Sequence, residues 1–497
     1  MSENIEKVLM FKVESSDRLN QMMQELLLLE ISEATSLSTH KLEVTYFDTE
    51  NRDLQTAGFS YQICKENDHW SAKVTFCNTS ESLNYLQKQQ EWMIKIEEPI
   101  PDINYFKESA MSGALKKIVS TRELRPLFNT CFERKKMNLL FENGCWIEIT
   151  GDIGKIKANG LEEPISQMKL KLKNGYASEM LKLGSALIKK HSVFMEKESQ
   201  YHRGLVLAGR AEEKVRKNDL KLNPNEKVSL AIVKIVINNI DNIINAQDNL
   251  LAQMEEPENV HQLRVKIRKL RALLSFASPL FNQNIYKEKQ EQLGESGLEF
   301  SAIREVDVIL EEIDIMVNNS LIELGDFPDL KNELERKRAE MLKKITVFLT
   351  SNQLSALLLD LRVWLLEDPW SDTPLLDLSI KKYSEQQLAI WSKRINKAIK
   401  KMDLAHKEEI HKVRIKSKKL RYAMEQLTSI LDSDSKKSIK KFEKLQEDLG
   451  YFHDVYINKL LLEKLIGDSD SGKLHFEAGL FIGWQINEGN IKMSQYL

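Results

Sequence analysis

The segment Val260–Phe276, VHQLRVKIRKLRALLSF, returns as Ile410–Gln426, IHKVRIKSKKLRYAMEQ. His261 and His411, Arg264 and Arg414, and Arg271 and Arg421 are each 150 positions apart. So many aligned matches at one offset point to a duplicated helical half. Within each copy the cations fall at i, i+3, i+7 and i+10: His261, Arg264, Arg268, Arg271, and His411, Arg414, Lys418, Arg421. On a helix this spacing makes a stripe about 15 Å long. Neither copy carries an acidic residue between its histidine and its last arginine. Stacked like charges destabilise a helix unless an anion lies alongside, and a twice-repeated stripe favours a shared anion over a solvated face. Val265, Leu270 and Leu273 are left to pack inward.

Working outward, residues 225 to 497 read as long amphipathic helices with few breakers, an all-α helical bundle in which leucine-rich faces such as QLSALLLDLRVWLLE form ordinary core. Further cations, Lys393, Lys397, Lys400 and Lys401, then Lys437, Lys440, Lys441 and Lys444, extend the basic surface. Lys269 and Lys419 lie beside the stripes. The polar stretch at 209–224 reads as a linker.

Residues 1–208 follow a different period. Alternating runs, LEVTYFDT, FSYQICKE, HWSAKVTF, QQEWMIKIEE, CWIEIT and QMKLKLK, are separated by turn signals such as NG and KNG. They predict an antiparallel barrel or strongly curved sheet. Helical patches at SSDRLNQMMQELLLLE, with Ser16 or Asp17 as cap, and at YASEMLKLGSALIKKH make this domain α+β. In Ile165–Gly175, ISQMKLKLKNG, Lys169, Lys171 and Lys173 share one face of a strand. They either guard an edge strand or line a polar cavity.

Bulk composition narrows the functional classes. The chain has 497 residues, with 72 Lys plus Arg against 74 Asp plus Glu, so any anion site is a local patch and not a basic coat. The start lacks a leader pattern and no apolar run approaches a membrane span, so a cytoplasmic protein without a membrane partner is expected. The four cysteines, Cys64, Cys77, Cys131 and Cys145, form no C-x-x-C pair and are expected as buried thiols. The basic motifs lack interleaved aromatics and regularly spaced Asn or Gln, which disfavours nucleic acid. A flexible polyanion suits guanidinium forks and sliding lysines.

At these residues the chain resembles the CHAD family, helical domains associated with inorganic polyphosphate. VHQLRVKIRKLR and IHKVRIKSKKLRYA look like its two basic helices, followed by AIREVDVIL and LGYFHDVYI. The likeness implies a polyphosphate groove lined by His261, Arg264, Arg268, Lys269, Arg271, His411, Arg414, Lys418, Lys419 and Arg421. It also implies acidic positions at Glu305, Asp307 and Asp454, expected to orient the basic helices, and phosphate nearby would favour protonated His261 and His411. Association with polyphosphate granules would follow.

The first 208 residues resemble the CYTH family, which precedes CHAD in many bacterial proteins and whose active members are triphosphate tunnel metalloenzymes. YFDTENRDLQTAGFSYQI, LRPLFNTCFERKK, WIEITGDIGKI, EEPISQMKLKLKNG and SQYHRGLVL fall in family order. Active members hold divalent metal on glutamates of facing strands. Here the E-x-E-x-K strand reads EKVLM, with Glu6 kept but Val8 and Met10 in place of Glu and Lys. Gln62 and Cys64 stand for arginines, Thr75 for a lysine with Lys73 two residues away, and Gln167, Lys169 and Lys171 for the late E-x-E-x-E. Cations where a metal would sit invert the local field. The expectation is therefore a degenerate tunnel with no catalytic residues, no metal ligands and no cofactor, in which Lys73, Arg134, Lys169, Lys171 and Arg203 remain as possible phosphate contacts. A metal-dependent inorganic triphosphatase using Mg²⁺ or Mn²⁺, dependent on Glu6 or Glu148, is the first alternative. Nucleic-acid or acidic-protein binding is the second.

Overall fold

The computed structural model describes residues 6–27, 33–34, 37–77, 86–191, 193–211, 220–319, 325–401, 407–432, 437, 455–467 and 469–494. The chain divides into two compact units, Met1–Asn218 with Asn352–Glu367, and Asp219–Ser351 with Asp368–Leu497.

Among the described residues, the first unit is built on ten antiparallel strands: β1 (Glu6–Lys12), β2 (Glu33–Ala34), β3 (Ser38–Asp48), β4 (Phe59–Glu66), β5 (His69–Cys77), β6 (Leu86–Ile96), β7 (Arg125–Leu140), β8 (Trp146–Ala158), β9 (Leu161–Asn174) and β10 (Phe194–Glu196). The path runs β1-β6-β5-β4-β3-β7-β8-β9, and β9 pairs again with β1, from Lys7 opposite Leu172 to Lys12 opposite Gln167. Eight strands thus form a hydrogen-bonded ring, as the alternating runs predict for a barrel. Because β9 is paired on both sides, the lysine row is not an edge guard. The long strand β7 was legible only through LRPLFNTCFERKK, since its Pro126 and repeated charges hide the alternation.

Outward faces are apolar and covered. α1 (Ser16–Leu27) and α4 (Ala177–His191) pack over β1, β8 and β9, burying Leu9, Phe11, Ile149, Met168 and Leu170. The cap of α1 is Ser15, whose Oγ accepts from the Arg18 amide at 3.2 Å, one residue before the expected Ser16 or Asp17. α2 (Asp53–Thr56) and α3 (Ser112–Val119) cover Tyr61, Ile63, Ala72 and Val74. α5 (Gln200–Leu207) crosses one end of the barrel, where Leu205 joins Phe128, Phe132, Ile156 and Ile165. Gly204 permits this approach, since a Cβ there would fall 2.1 Å from the Phe128 ring.

The second unit is helical: α6 (Val228–Ala252), α7 (Pro257–Phe276), α8 (Gln283–Leu298), α9 (Ser301–Asn319), α10 (Pro328–Thr350), then, after α11 (Gln353–Leu366), α12 (Ile380–Lys401), α13 (Lys407–Glu425), a helix at 455–466, and α14 (Gly472–Ser494). The duplicated segments are α7 and α13. α6 is long and apolar enough to cross a membrane by length and composition, although lysine and aspartates break its apolar run, and 61% of its most apolar stretch is buried within the protein.

α11 departs from the expected division at residue 225. It carries the leucine-rich segment assigned to the helical core, yet it belongs to the barrel unit and packs on α4. Ser185 donates to Asp360 at 2.6 Å, Lys189 pairs with Asp360 at 2.7 Å, and Leu359 lies against Gly184. A helix apolar all round can serve any core, and periodicity does not say which. Of the expected buried thiols, Cys145 is buried while Cys64 and Cys131 are half-buried.

Candidate functional site

Inside the barrel the register decides which side chains meet. Residues directly opposite in an antiparallel pair project to one face. Val8 lies opposite Lys171 and Met10 opposite Lys169; Glu148, Thr150 and Asp152 lie opposite Lys171, Lys169 and Gln167; Arg134 lies opposite Asp152, and Gln62 opposite Lys73. Val8, Met10, Gln62, Lys73, Thr75, Arg134 and Gln167, which the tunnel resemblance singled out, therefore share the inward face with Lys169 and Lys171. The Glu6 side chain lies outside the described residues.

The cations at the centre of the inward face are paired with carboxylates. Asp152, with a fully buried side chain, receives Arg134 through two parallel bonds of 2.7 and 2.8 Å, Gln200 at 2.9 Å and Lys169 at 3.4 Å. Glu91 joins Lys73 at 2.8 Å to Lys171 at 3.2 Å. Glu148 joins Lys136 at 2.6 Å to Lys173 at 3.7 Å. Burial would raise the pKa of Asp152 and Glu91, but Arg134 with Lys169, and Lys73 with Lys171, outweigh it and hold both carboxyls far below their ordinary range. Lys169 is depressed to about 8, first by burial and then by Arg134, Lys171 and Lys73 against the pull of Asp152. Lys73, Arg134, Lys169 and Lys171 are thus brought together on the inward face. Arg203 is not: it bonds Glu163 at 2.7 Å and the Pro164 carbonyl at 2.6 Å. Asp152 and Glu91 went unread because each lies on a different strand from the lysines it neutralises, and only the pairing register brings them together.

The basic stripe of α7 has the opposite electrostatics. Its core face, Leu263, Ile267 and Leu270, is fully buried, while Val265 is only half-buried. Arg264, Arg268 and Arg271 are half-buried, yet among the described residues none has a carboxylate within 4 Å. Arg271 Nε is buried without a hydrogen-bond partner, and its guanidinium lies against Gly294 of α8. Arg268 sits 5.8 Å from the Tyr422 ring, and Arg421 4.9 Å from the same ring, so α7 and α13 meet across an aromatic held between two cations. Burial and then Arg268 depress Arg264 to about 10, with Glu305 opposing. His261 is also depressed, first by burial and then by Arg304, which favours its neutral form before any anion arrives.

Other expected members are arranged differently. Glu425 pairs with Lys269 at 3.0 Å and Arg421 at 3.7 Å. Arg414 is buried and Lys418 half-buried on the same flank of α13; the His411 side chain, Asp454, Lys440, Lys441 and Lys444 lie outside the described residues. Asp307 does not orient a basic stripe but holds Arg338 of α10 at 2.6 Å.

Residues 235–463 match the model of the CHAD domain family. The chain carries a CHAD domain. The match spans α7 and α13 and hence both copies of the basic segment. Among solved structures, the CHAD domain from the plant Ricinus communis is 25% identical over 54% of this chain and 89% of its own, with a TM-score of 0.42. PptA from Streptomyces chartreusis is 13% identical over 54% and 97%, with a TM-score of 0.43. A Hippeastrum protein reported with a dominant triphosphatase activity is 12% identical over 42% and 98%, with a TM-score of 0.31.

Proposed function

We propose that the CHAD domain binds inorganic polyphosphate along the α7 and α13 stripes, and that the barrel is a degenerate CYTH-like tunnel without metal-dependent triphosphatase activity. The observation that carries this reading is the contrast between the two units. Lys73, Arg134, Lys136, Lys169, Lys171 and Lys173 on the inward face of the barrel each already have a carboxylate, whereas Arg264, Arg268 and Arg271 are half-buried with none among the described residues. Desolvated, unpaired guanidinium groups raise the energy of the free protein and are relieved by an anion, so they favour ligand binding over structural pairing.

The donor set of the barrel supports the second part. A divalent cation needs converging carboxylates. Val8, Met10 and Gln167 offer no charged donor, and the inward carboxylates Asp152, Glu91 and Glu148 are each held by two cations. A metal would have to displace ammonium and guanidinium groups 2.6 to 3.7 Å from those oxygens and then tolerate them beside it.

Titration of the whole chain with long-chain polyphosphate, with and without EDTA, tests both parts. Binding that survives EDTA and falls at least about 100-fold in Arg264→Glu/Arg268→Glu is expected, with no phosphate released from tripolyphosphate in Mg²⁺ or Mn²⁺. Unchanged affinity in the double variant would remove the stripe as the site; metal-dependent hydrolysis abolished by Glu148→Gln would overturn the reading of the barrel.

A further inference from the structure

α13 carries a second basic face. Lys412, Lys416 and Lys419 lie on a flank separated from Arg414 and Arg421 by the buried Val413, Ser417 and Leu420. This flank faces α12, which contributes Arg394, Lys397 and Lys401, and together they rim a cavity of about 710 Å³. Among the described residues none of these six cations has an ion-pair partner, and Glu409 is the one carboxylate in the lining.

The floor of this cavity is not what a bare phosphate chain requires. It is formed by Trp391, Ile395 and Val413, with Tyr286 entering from α8. The rings are held in place: Trp391 packs edge-on to Phe276 at 5.8 Å, and Tyr286 stacks on Phe281 at 6.1 Å. Both are half-buried, so each presents a fixed apolar surface beneath the cationic rim.

The duplication supplies an internal control. The matching cleft of the first copy lies between α6 and α7, where Gln262, Lys266 and Lys269 occupy the positions of Lys412, Lys416 and Lys419. It measures about 220 Å³, is lined by Asn238, Asn239, Asn242 and Gln426, and contains no aromatic ring. Of its two lysines, Lys269 is already bound to Glu425. Two clefts of one origin have therefore diverged, one amide-lined and small, the other roomy, aromatic and strongly cationic.

We propose that the cleft between α12 and α13 is a separate site for a nucleoside polyphosphate, the base lying on Trp391 and Tyr286 and the phosphates meeting the six-cation rim. Base stacking on aromatics and charge-assisted phosphate contacts are the interactions such a lining offers, and the volume falls within the usual range of about 300–1,000 Å³ for ligand pockets.

Tryptophan fluorescence and calorimetry on the whole chain, titrated with ATP, GTP and tripolyphosphate in EDTA at fixed ionic strength, test the assignment. The nucleotides are expected to bind at least about tenfold more tightly than tripolyphosphate, which carries comparable charge without a base. Lys412→Glu/Lys416→Glu, both at exposed positions, should weaken nucleotide binding at least about tenfold. Arg264→Glu/Arg268→Glu should leave it within about threefold while long-chain polyphosphate binding, measured in the same series, falls. Equal affinity for tripolyphosphate and nucleotides, or nucleotide affinity that follows Arg264 and Arg268 and not Lys412 and Lys416, overturns the proposal without touching the reading of the stripe. Circular dichroism of each variant confirms that it is folded.

Discussion

Arg134 and Asp152, adjacent across β7 and β8, form a two-bond ion pair whose carboxylate is wholly buried inside the barrel. Asp152 also receives Lys169 and Gln200, so one carboxylate neutralises two cations. Breaking a buried pair from one side leaves uncompensated charge, which costs about 3–5 kcal/mol. Asp152→Asn is therefore expected to destabilise the whole chain by about that amount in denaturant unfolding. A loss under about 1 kcal/mol would show that the barrel does not depend on the network.

The pH dependence separates the acids from Lys169. Asp152 and Glu91 titrate in the fold far below their ordinary values, so their contribution is present above about pH 5 and is lost as the pH falls below the ordinary carboxylate range near 4. Lys169, depressed to about 8, has the opposite consequence. Between about pH 8 and 10 the unfolded chain binds the proton that the fold has released, so stability rises with pH through that window. Lys169→Met should flatten the rise when unfolding free energies are compared at pH 7.5 and 9.5; an unaltered rise would exclude Lys169 as its source.

Arg264 links stability to binding. Its depression to about 10 by burial and by Arg268 means that its charge is disfavoured in the free fold. Replacing a half-buried charge that has no carboxylate partner with an apolar residue of similar length removes that penalty. Arg264→Met should raise the melting temperature of the free protein, corresponding to about 1 kcal/mol, and should reduce the further rise caused by polyphosphate, since ligand stabilisation follows binding to the native state. A variant that melts lower, or that gains as much from polyphosphate as the parent chain, would count against a ligand-relieved stripe.

The two readable periods explain how much of this architecture the sequence discloses. Alternation located β4, β5 and β9 closely, and the repeated spacing placed Arg264, Arg268 and Arg271 on one face. Charge balance in the barrel was not legible. Lys171 finds Glu91 80 positions away, through the ring closure of β1 with β6 and β9. That ring depends on register, and a one-residue slip would turn Lys169 outward. Asp307 was misread for a similar reason, since its partner Arg338 lies on the next helix, outside any local motif.

α11 gives the last prediction. It is encoded within the helical half yet packs on α4 of the barrel unit, with Leu359 against Gly184, Leu354, Leu358 and Leu361 also buried, and Asp360 bound to Ser185 and Lys189. A fragment ending at residue 218 would lack it and would bare the apolar surface of α4 around Leu187 and Ile188. At about 25 cal/mol per Å² of apolar surface, exposing a few buried leucine-sized side chains costs several kcal/mol, comparable with the whole stability of a domain. The fragment is therefore expected to aggregate or bind a hydrophobic dye. Fusing residues 352–367 to its C-terminus through a flexible linker should restore a cooperative unfolding transition, whereas the same fusion with Leu358→Asp and Leu359→Asp should not. A fragment that unfolds cooperatively without α11, at the same denaturant midpoint as the fusion, would show that the barrel unit is complete without this helix.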